Sequence, residues 1–542
     1  MTSRLTITLE PERSIQFRKL IRTTLAGIGE SLPALLAALF PILFIPTLTD
    51  AYVLPRSALA VGGGCLLFAW ALATAGTALG GLGRAWLAVA AAAVLATLFS
   101  ISPALSVIGS YARYESLLTR LAYLLLFAGG AWLAATPQAR SRTLTAFVGG
   151  CVVASLEALY EAATGYPPRP DGNLGQANLL GGLLAMAIPI VCSRVPRAPA
   201  WLLALVPLLA GIAVTASRSG WLGAAAGTAL LLPLLASSRR RRAAFLAGAA
   251  AALTLVLAVI VLSPLASLNG DTGSARLHVW KDSLSIVSAR PLTGLGEDAL
   301  GLEFSRHLTG NWEPGATFDR VHQAELDLLA AQGILGLAAC TWFFTAWLLA
   351  AWRRVWSRTR PVEPALVSIV AAWAGFFVFV QLNFDWAPVT APAWLLAGVG
   401  WAAVRDPQPS RRPPGWAIAA GIGASACAAI AFGVLPVLAD SAASHGDPAG
   451  AVRLDPLQAR YHRLLGETLS GSIDGGTLAR ARDQLRQSSE LGAYDATVFI
   501  ELGDLDAKLG DGAAALVDYR RAAELDPYNP SIRERVRQTE GK

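Results

Sequence analysis

Leu202-Leu203-Ala204-Leu205-Val206-Pro207-Leu208-Leu209-Ala210-Gly211-Ile212-Ala213-Val214-Thr215-Ala216-Ser217-Arg218-Ser219-Gly220-Trp221 carries a single charge, and the chain stays apolar from there to about residue 236. About 20 apolar residues in a helix rise through the roughly 30 Å of a bilayer's hydrocarbon core. The stretch therefore predicts one span ending near 215, a second beginning near 219, and Arg218 at the tip between them. A charge at a helix centre costs about 2.5–3.5 kcal/mol on insertion scales, so an arginine in such a place needs a reason.

The same pattern extends along the chain. Of 542 residues 54% are hydrophobic and only 15% charged, against roughly a quarter charged in a soluble globular protein. The apolar residues gather into blocks near 32–49, 58–79, 85–101, 119–136, 143–162, 177–193, 199–215, 219–236, 243–264, 328–351, 363–382, 388–404 and 415–438. These predict an all-α polytopic membrane protein of about 12–14 transmembrane helices. The basic N-terminal segment (Arg4, Arg13, Arg18, Lys19, Arg22) precedes a block too long for a cleaved signal, which predicts a retained first span.

Orientation follows from the excess of Lys and Arg in cytoplasmic loops. With the N-terminus inside, Arg84, Arg140 and Arg142, Arg194 and Arg197, Arg239 to Arg242, Arg353, Arg354, Arg358 and Arg360, and Arg405, Arg411 and Arg412 all fall on one side. Losing one span would put half of them outside. The expected organisation is a cytoplasmic segment 1–31, a transmembrane domain 32–439 with a long external loop 265–327, and an extracytoplasmic tail 440–542, in a bacterial inner membrane. The net charge of +7 is thus a topology signal, and the basic run at 239–242 faces anionic lipid and not nucleic acid. All five cysteines lie in apolar blocks, which leaves no disulfide or thiolate–metal framework in the loops.

The tail changes composition. Phe499, Leu502, Gly503, Gly510, Ala515, Tyr519, Ala522 and Pro527 fall at the spacing of an about 34-residue tetratricopeptide unit, with a degenerate copy around Leu465-Gly466 and Ala481. Small residues there let two antiparallel helices touch while aromatics fill the gaps. So few repeats predict packing on the membrane domain, on a protein partner or on another copy. Deleting the region after Ala439 is expected to spare any chemistry of the membrane part.

Charged residues collect on the external side. Arg276 lies in Gly273-Ser274-Ala275-Arg276-Leu277-His278-Val279-Trp280, which opens a helix reaching about Ile286. Arg290-Pro291-Leu292-Thr293-Gly294-Leu295-Gly296 is turn-rich, with glycines that could let backbone approach a ligand. His322 stands in the first turn of the helix that re-enters the membrane. Guanidinium pairs grip diphosphates and stabilise their departure, and an imidazole can take a proton from a hydroxyl. Arg218 could instead be snorkelling to headgroups beside Trp221, and His322 could simply hydrogen-bond its loop. Glu325 and Asp327 suit a helix N-terminus better than acid catalysis, Asp385 a solvated loop more than a contact to the acceptor, and His278 and His307 the surface.

The Ser217-Arg218-Ser219 pair leading a helix, Arg276 followed by Trp280, the segment 290–296, and a His heading a helix that carries Gly333-Ile334-Leu335-Gly336-Leu337 together resemble the O-antigen ligase and polymerase superfamily. Gly109-Ser110-Tyr111-Ala112-Arg113-Tyr114-Glu115 and Pro170-Asp171-Gly172-Asn173-Leu174-Gly175-Gln176-Ala177-Asn178 look like that family's external loops. The resemblance covers about 100–345. It implies a fold of the GT-C type and metal-independent, cofactor-free, inverting transfer of a saccharide from undecaprenyl diphosphate to an acceptor hydroxyl on the periplasmic face. It also implies diphosphate-binding roles for Arg218 and Arg276, a catalytic role for His322, and weaker substrate-binding roles for Arg290, Arg113 and Arg169. Gln323 departs from the family pattern, in which a small or amide residue such as Asn often follows the histidine, and many ligases lack the tail. The acceptor therefore stays open between lipid, growing glycan and protein. A lipid-linked glycan transporter would need central charges and an inverted repeat, neither of which is evident, and thirteen spans exceed what a membrane-anchored scaffold needs.

Overall fold

The computed structural model describes residues 11–74, 78–236, 274–312, 318–357, 363–405 and 413–541, with scattered positions between 238 and 254. Among them the secondary structure is helical, without strands. Twelve of the thirteen predicted blocks coincide with helices: Pro11–Ile42, Val53–Thr74, Gly83–Leu98, Leu117–Leu133, Pro137–Thr164, Ala177–Arg194, Leu202–Val214, Arg218–Leu235, Ala324–Val355, Pro364–Val380, Ala387–Val404 and Gly415–Ala429, the last continuing to Ser444. Apart from scattered positions up to residue 254, the block at 243–264 lies outside the described residues. Among the described residues seven helices are long and apolar enough to cross a membrane, four more are shorter apolar helices, and their outward faces stay bare, as at Leu87, Leu203, Val206 and Leu98.

Polar side chains tie the helix ends into two groups. At the basic end Arg140 grips Glu363 through Nε at 2.5 Å and Nη2 at 3.0 Å, and Arg405 donates to the carbonyl of Ala78 at 3.0 Å. At the opposite end Asp440, fully buried, accepts from the Asp50 amide at 3.1 Å and the Tyr111 hydroxyl at 2.7 Å, joining the last apolar helix to the turn that caps the second. Arg56 is completely buried in the second helix. Its guanidinium donates to the carbonyls of Phe40 and Pro41, at the unsatisfied C-terminal turn of the first helix, and to Tyr52 and Asn173. A cation there meets both the orphan carbonyls and the negative end of that helix's dipole.

Without a hydrophobic drive between helices in lipid, close packing through small residues holds the bundle. The Arg218–Leu235 helix is held this way: a Cβ on Gly223 would lie 2.5 Å from the Gly375 carbonyl and one on Gly227 2.6 Å from that of Ala371. The tightest approach is Gly398, whose Cβ would stand 2.0 Å from the carbonyl oxygen of Phe127. Gly398→Val is therefore expected to cost about 1–3 kcal/mol or more by forcing 387–404 off 117–133, read as a lower unfolding temperature in detergent. An equal substitution at Gly423, with open space around it, should change little.

The segment from Ser274 to His322, expected from the sequence to be external, folds into a small core of its own, with Leu105, Val279, Ile286, Leu295, Phe304 and Val321 buried together. The Ser274–Ala289 helix is followed by a turn that docks on a break in the long helix, where Gly333 adopts φ +64°. Leu295 and Gly296 donate to the carbonyls of Ala330 and Ala331, and Ile334 donates back to Pro291. The two glycines of this turn thus let backbone approach that helix and the Ser100 and Ser106 hydroxyls, not a ligand.

The tail forms the helix pairs Ala459–Ser470 with Gly475–Glu490 and Ala496–Lys508 with Gly512–Leu525, then Pro530–Glu540. Gly466 sits against Leu485, and Gly503 against the ring of Tyr519, the small-on-large contacts expected from the spacing. The tail lies on the external segment: Arg306 pairs with Glu524 at 2.6 Å and the Tyr494 ring presses on Gly301.

Candidate active site

The loop Gln381–Trp386, between the helices ending at Val380 and starting at Ala387, gathers the suspected groups. Its Leu382 carbonyl accepts from Arg276 Nη1 at 3.3 Å, and Asn383 Nδ2 donates to the carbonyl of Phe379 and, at 2.8 Å, to the hydroxyl of Ser219, the neighbour of Arg218. The Phe384 ring meets the His322 ring edge-on, centroids 5.0 Å apart, and lies under the Arg113 guanidinium at 5.0 Å. Arg113 also covers Trp386 at 4.8 Å. Asp385 accepts from the buried Arg120 at 2.7 Å. Five consecutive residues thus touch the neighbourhoods of Arg218, Arg276, His322, Arg113 and Arg120.

Each side chain is placed by local structure. Arg218 is the first residue of its helix, behind Ser217, whose hydroxyl caps the Gly220 amide, and after Ala216 at φ +50°. The N-terminal turn brings the positive end of the helix dipole beside the guanidinium, a setting suited to anions. Arg276 lies in the first turn of the Ser274–Ala289 helix. His322 is not in a helical turn, contrary to the sequence expectation. It precedes the cap residue Gln323, whose carbonyl oxygen Oε1 accepts from Leu326, and has φ +62°. A non-glycine residue held there costs energy and is found where surrounding structure, often functional, over-determines it. The determinants are visible: Asp327 accepts from the Val321 amide at 2.6 Å, and Trp280 Nε1 donates to the Val321 carbonyl at 3.0 Å.

Among the described residues the His322 ring makes no hydrogen bond, so it does not serve to tie its loop. Burial, and after it the charge of Arg276, push its pKa down to about 4, with Asp319 opposing and Arg113 and Arg320 adding to the fall. The ring is therefore neutral at pH 7. Arg276 stands near enough to act on it electrostatically, which puts a guanidinium and an imidazole in one small volume.

A buried ionic layer supports this volume. Arg113 holds Asp319 with Nε at 2.6 Å and Nη2 at 3.1 Å. Burial raises Asp319, but Arg113, by charge and hydrogen bond, and Arg320 outweigh it and keep the carboxyl below its ordinary range. Asp319 also accepts from Tyr494 of the tail at 3.3 Å, and Tyr494 reaches Ser110 at 3.1 Å. Arg320 pairs with Asp298, which caps Ser110. Arg120 bridges Asp385 and Glu297. None of Arg120, Glu297, Asp298, Asp319, Arg320 and Asn383 stands out in the sequence, because their partners are remote in the chain. Asp385 is ion-paired to Arg120 and only partly exposed, where the sequence reading favoured a solvated loop.

Of the weaker candidates, Arg113 joins the cluster through Asp319 and the two aromatic rings. Arg169 donates to the Thr215 carbonyl at 3.1 Å and to Asn178 at 3.0 Å, which places it beside the Arg218 turn. Arg290 is apart: it follows the C-terminus of the helix that begins near Arg276, about 21 Å further along its axis, and donates to Phe99.

A cavity of about 500 Å³ opens beneath the loop. Arg120, Glu325, Gln332 and Asp385 line its polar end, and Leu328, Phe344, Leu348, Trp373, Phe377 and Trp394 its apolar walls. Glu325 accepts from Gln381 at 2.9 Å, so the polar end abuts the loop whose Phe384 meets the His322 ring.

Residues 203–341 match the family model described as O-Antigen ligase. The matched segment holds Arg218, Arg276, Arg290 and His322, and leaves out Arg113, Arg169, the loop 381–386 and the tail. It supports the O-antigen ligase superfamily, lipid-linked glycan transfer in general terms, and a multi-pass membrane protein. No curated protein matches the chain.

Proposed function

We propose that this protein is a glycosyltransferase that moves a saccharide from a polyprenyl diphosphate, of the undecaprenyl kind, to an acceptor hydroxyl at the extracytoplasmic face of a bacterial inner membrane. The observation that carries this reading is the convergence of Arg276, His322 and the Arg218 turn on Leu382–Phe384 at the end of the bundle away from the basic loops. Arg218 and Arg276 hold the diphosphate, and the apolar cavity takes part of the polyprenyl chain. His322, neutral at pH 7, accepts the proton of the acceptor hydroxyl as its oxygen bonds to the anomeric carbon. The bond from that carbon to phosphate oxygen breaks, and the diphosphate leaves with the electron pair, its charge met by the guanidinium groups. Resident metals or cofactors have no part in these steps as proposed. The domains are those expected from the sequence, with the tail read as tetratricopeptide-like. The acceptor is a lipid, glycan or protein, so ligase, chain polymerase and protein O-glycan ligase are variants of one chemistry.

Purified protein given an undecaprenyl-diphosphate-linked oligosaccharide and candidate acceptors should yield a glycosylated acceptor and free undecaprenyl diphosphate by mass spectrometry. Absence of both, with well-folded protein and every acceptor class tried, would remove the assignment.

The pH dependence follows from the cause of the His322 shift. The base form is lost only as pH falls through the lowered pKa, so the acid limb of kcat/KM, which reports free enzyme, is expected near pH 4 and not near 6.5. An anionic diphosphate bound to Arg276 cancels part of the positive charge that depresses the ring, so the acid limb of kcat should lie at higher pH. Coincident limbs near 6.5 would contradict this account of the base.

A further inference from the structure

A second cavity, of about 220 Å³, lies at the same end of the bundle on the other side of the Gly109–Ser116 loop. Its walls are Leu54, Ala58 and Val61 of the second helix and Ala431, Phe432 and Leu435 of the last, and the tail turn Leu454–Gln458 covers it. The last helix carries a π-type turn at Ile430–Val434, a local widening found frequently at functional sites.

Four hydroxyl-bearing residues line this cavity: Ser116 and Thr119 hydrogen-bond to each other and within their own loop, which leaves the hydroxyls of Ser57 and Tyr114, whose residues are 5% and 7% exposed. Among the described residues neither has a hydrogen-bond partner. A buried polar group left unmet is costly, and such exceptions in native proteins call for an explanation. Tyr114 is also held at φ +54°, another backbone position that costs energy for a residue of this size. The lining contains no arginine, lysine or histidine and does contain Asp455, in contrast to the guanidinium groups around His322. An anionic group, a phosphate above all, has nothing to bind here. Apolar walls with a few convergent hydroxyls suit a chain bearing one neutral polar group. Flanking side chains such as Ile430, Val434 and Leu438 are exposed and apolar, so the helices forming the walls also face the hydrocarbon from which such a chain would come.

We propose that this cavity binds an uncharged amphiphile, its hydroxyl or amide group on Ser57 and Tyr114 and its hydrocarbon between the second and last apolar helices. Neither the O-antigen ligase match nor the transfer reaction assigns this site. The loop that walls it carries Arg113 on its other side, so occupancy bears on the His322 site through adjacent residues of one segment.

The test uses the full chain in phosphatidylcholine nanodiscs with a diazirine-bearing monoacylglycerol. Labelled peptides should cover 53–61 or 431–436, and unlabelled monoacylglycerol should displace the probe. Tyr114→Phe removes only a hydroxyl without a protein partner, so the unfolding temperature should hold or rise while labelling at limiting probe falls about fivefold. Ala431→Trp, which fills the wall, should abolish labelling. Labelling confined to other helices, or undiminished in both variants, would overturn the proposal. So would equal displacement by phosphatidylglycerol, which would mark a charged ligand. Binding is read without glycan transfer, so this idea and the enzymatic one fail separately.

Discussion

Replacing His322 with alanine should lower glycan transfer by about a hundred- to ten-thousand-fold, the range for loss of a positioned general base, while leaving the unfolding temperature nearly unchanged. The small structural effect is expected because the ring makes no hydrogen bond among the described residues and touches its surroundings chiefly through Phe384. Removing a side chain from a strained φ +62° position costs little packing. Arg276→Ala should be comparably damaging for a different reason: it removes charge that meets the departing diphosphate, an effect of about a hundred- to thousandfold. It should also weaken donor binding, whereas the His322 variant should bind donor normally. Arg276→Lys should recover only part, since an ammonium cannot reproduce a two-pronged contact with phosphate oxygens. Equilibrium binding of the lipid donor beside single-turnover transfer separates the two. Normal turnover in either alanine variant would remove that residue from the chemistry.

The spans were legible because their signal is local: an apolar block of fixed length registers wherever it lies, and twelve of thirteen blocks overlap helices, all but the first, whose helix starts at Pro11 and ends at Ile42, within about six residues at each end. The tail's helix pairs were legible for the same reason, through Gly466 and Gly503 at fixed offsets from large partners. Arg218, Arg276 and His322 stood out because charge is rare at span ends. The loop that gathers them did not, since Leu382, Asn383 and Phe384 act through a carbonyl, an amide and a ring face, none of them conspicuous. Pairs such as Arg113 with Asp319 and Arg120 with Glu297 join residues separated by 206 and 177 positions, and no periodicity in one sequence announces them. The contacts of Tyr494 bear on the expectation that deleting the tail would spare the chemistry, for its hydroxyl reaches Asp319 in the layer behind His322.

That layer gives the second large effect. Asp319→Asn should reduce transfer strongly and also destabilise the protein, by about 3–5 kcal/mol if Arg113 is left buried and unpaired. The two consequences have separate causes. Stability falls because Arg113, poised over Phe384 and Trp386, loses its carboxylate. Activity falls further because Asp319 is the charge that raises the His322 pKa against burial and Arg276; without it the ring's pKa drops below about 4 and the imidazole becomes a poorer base. A double variant tells them apart. Arg113→Met with Asp319→Leu replaces the ion pair by apolar groups of similar volume, which is often neutral or stabilising. It should restore most of the unfolding temperature and still transfer poorly, with the His322 environment altered and Tyr494 left with Ser110 as its acceptor. If the double variant instead recovers both stability and wild-type turnover, the ionic layer is only a scaffold and the base at position 322 needs no electrostatic support from it.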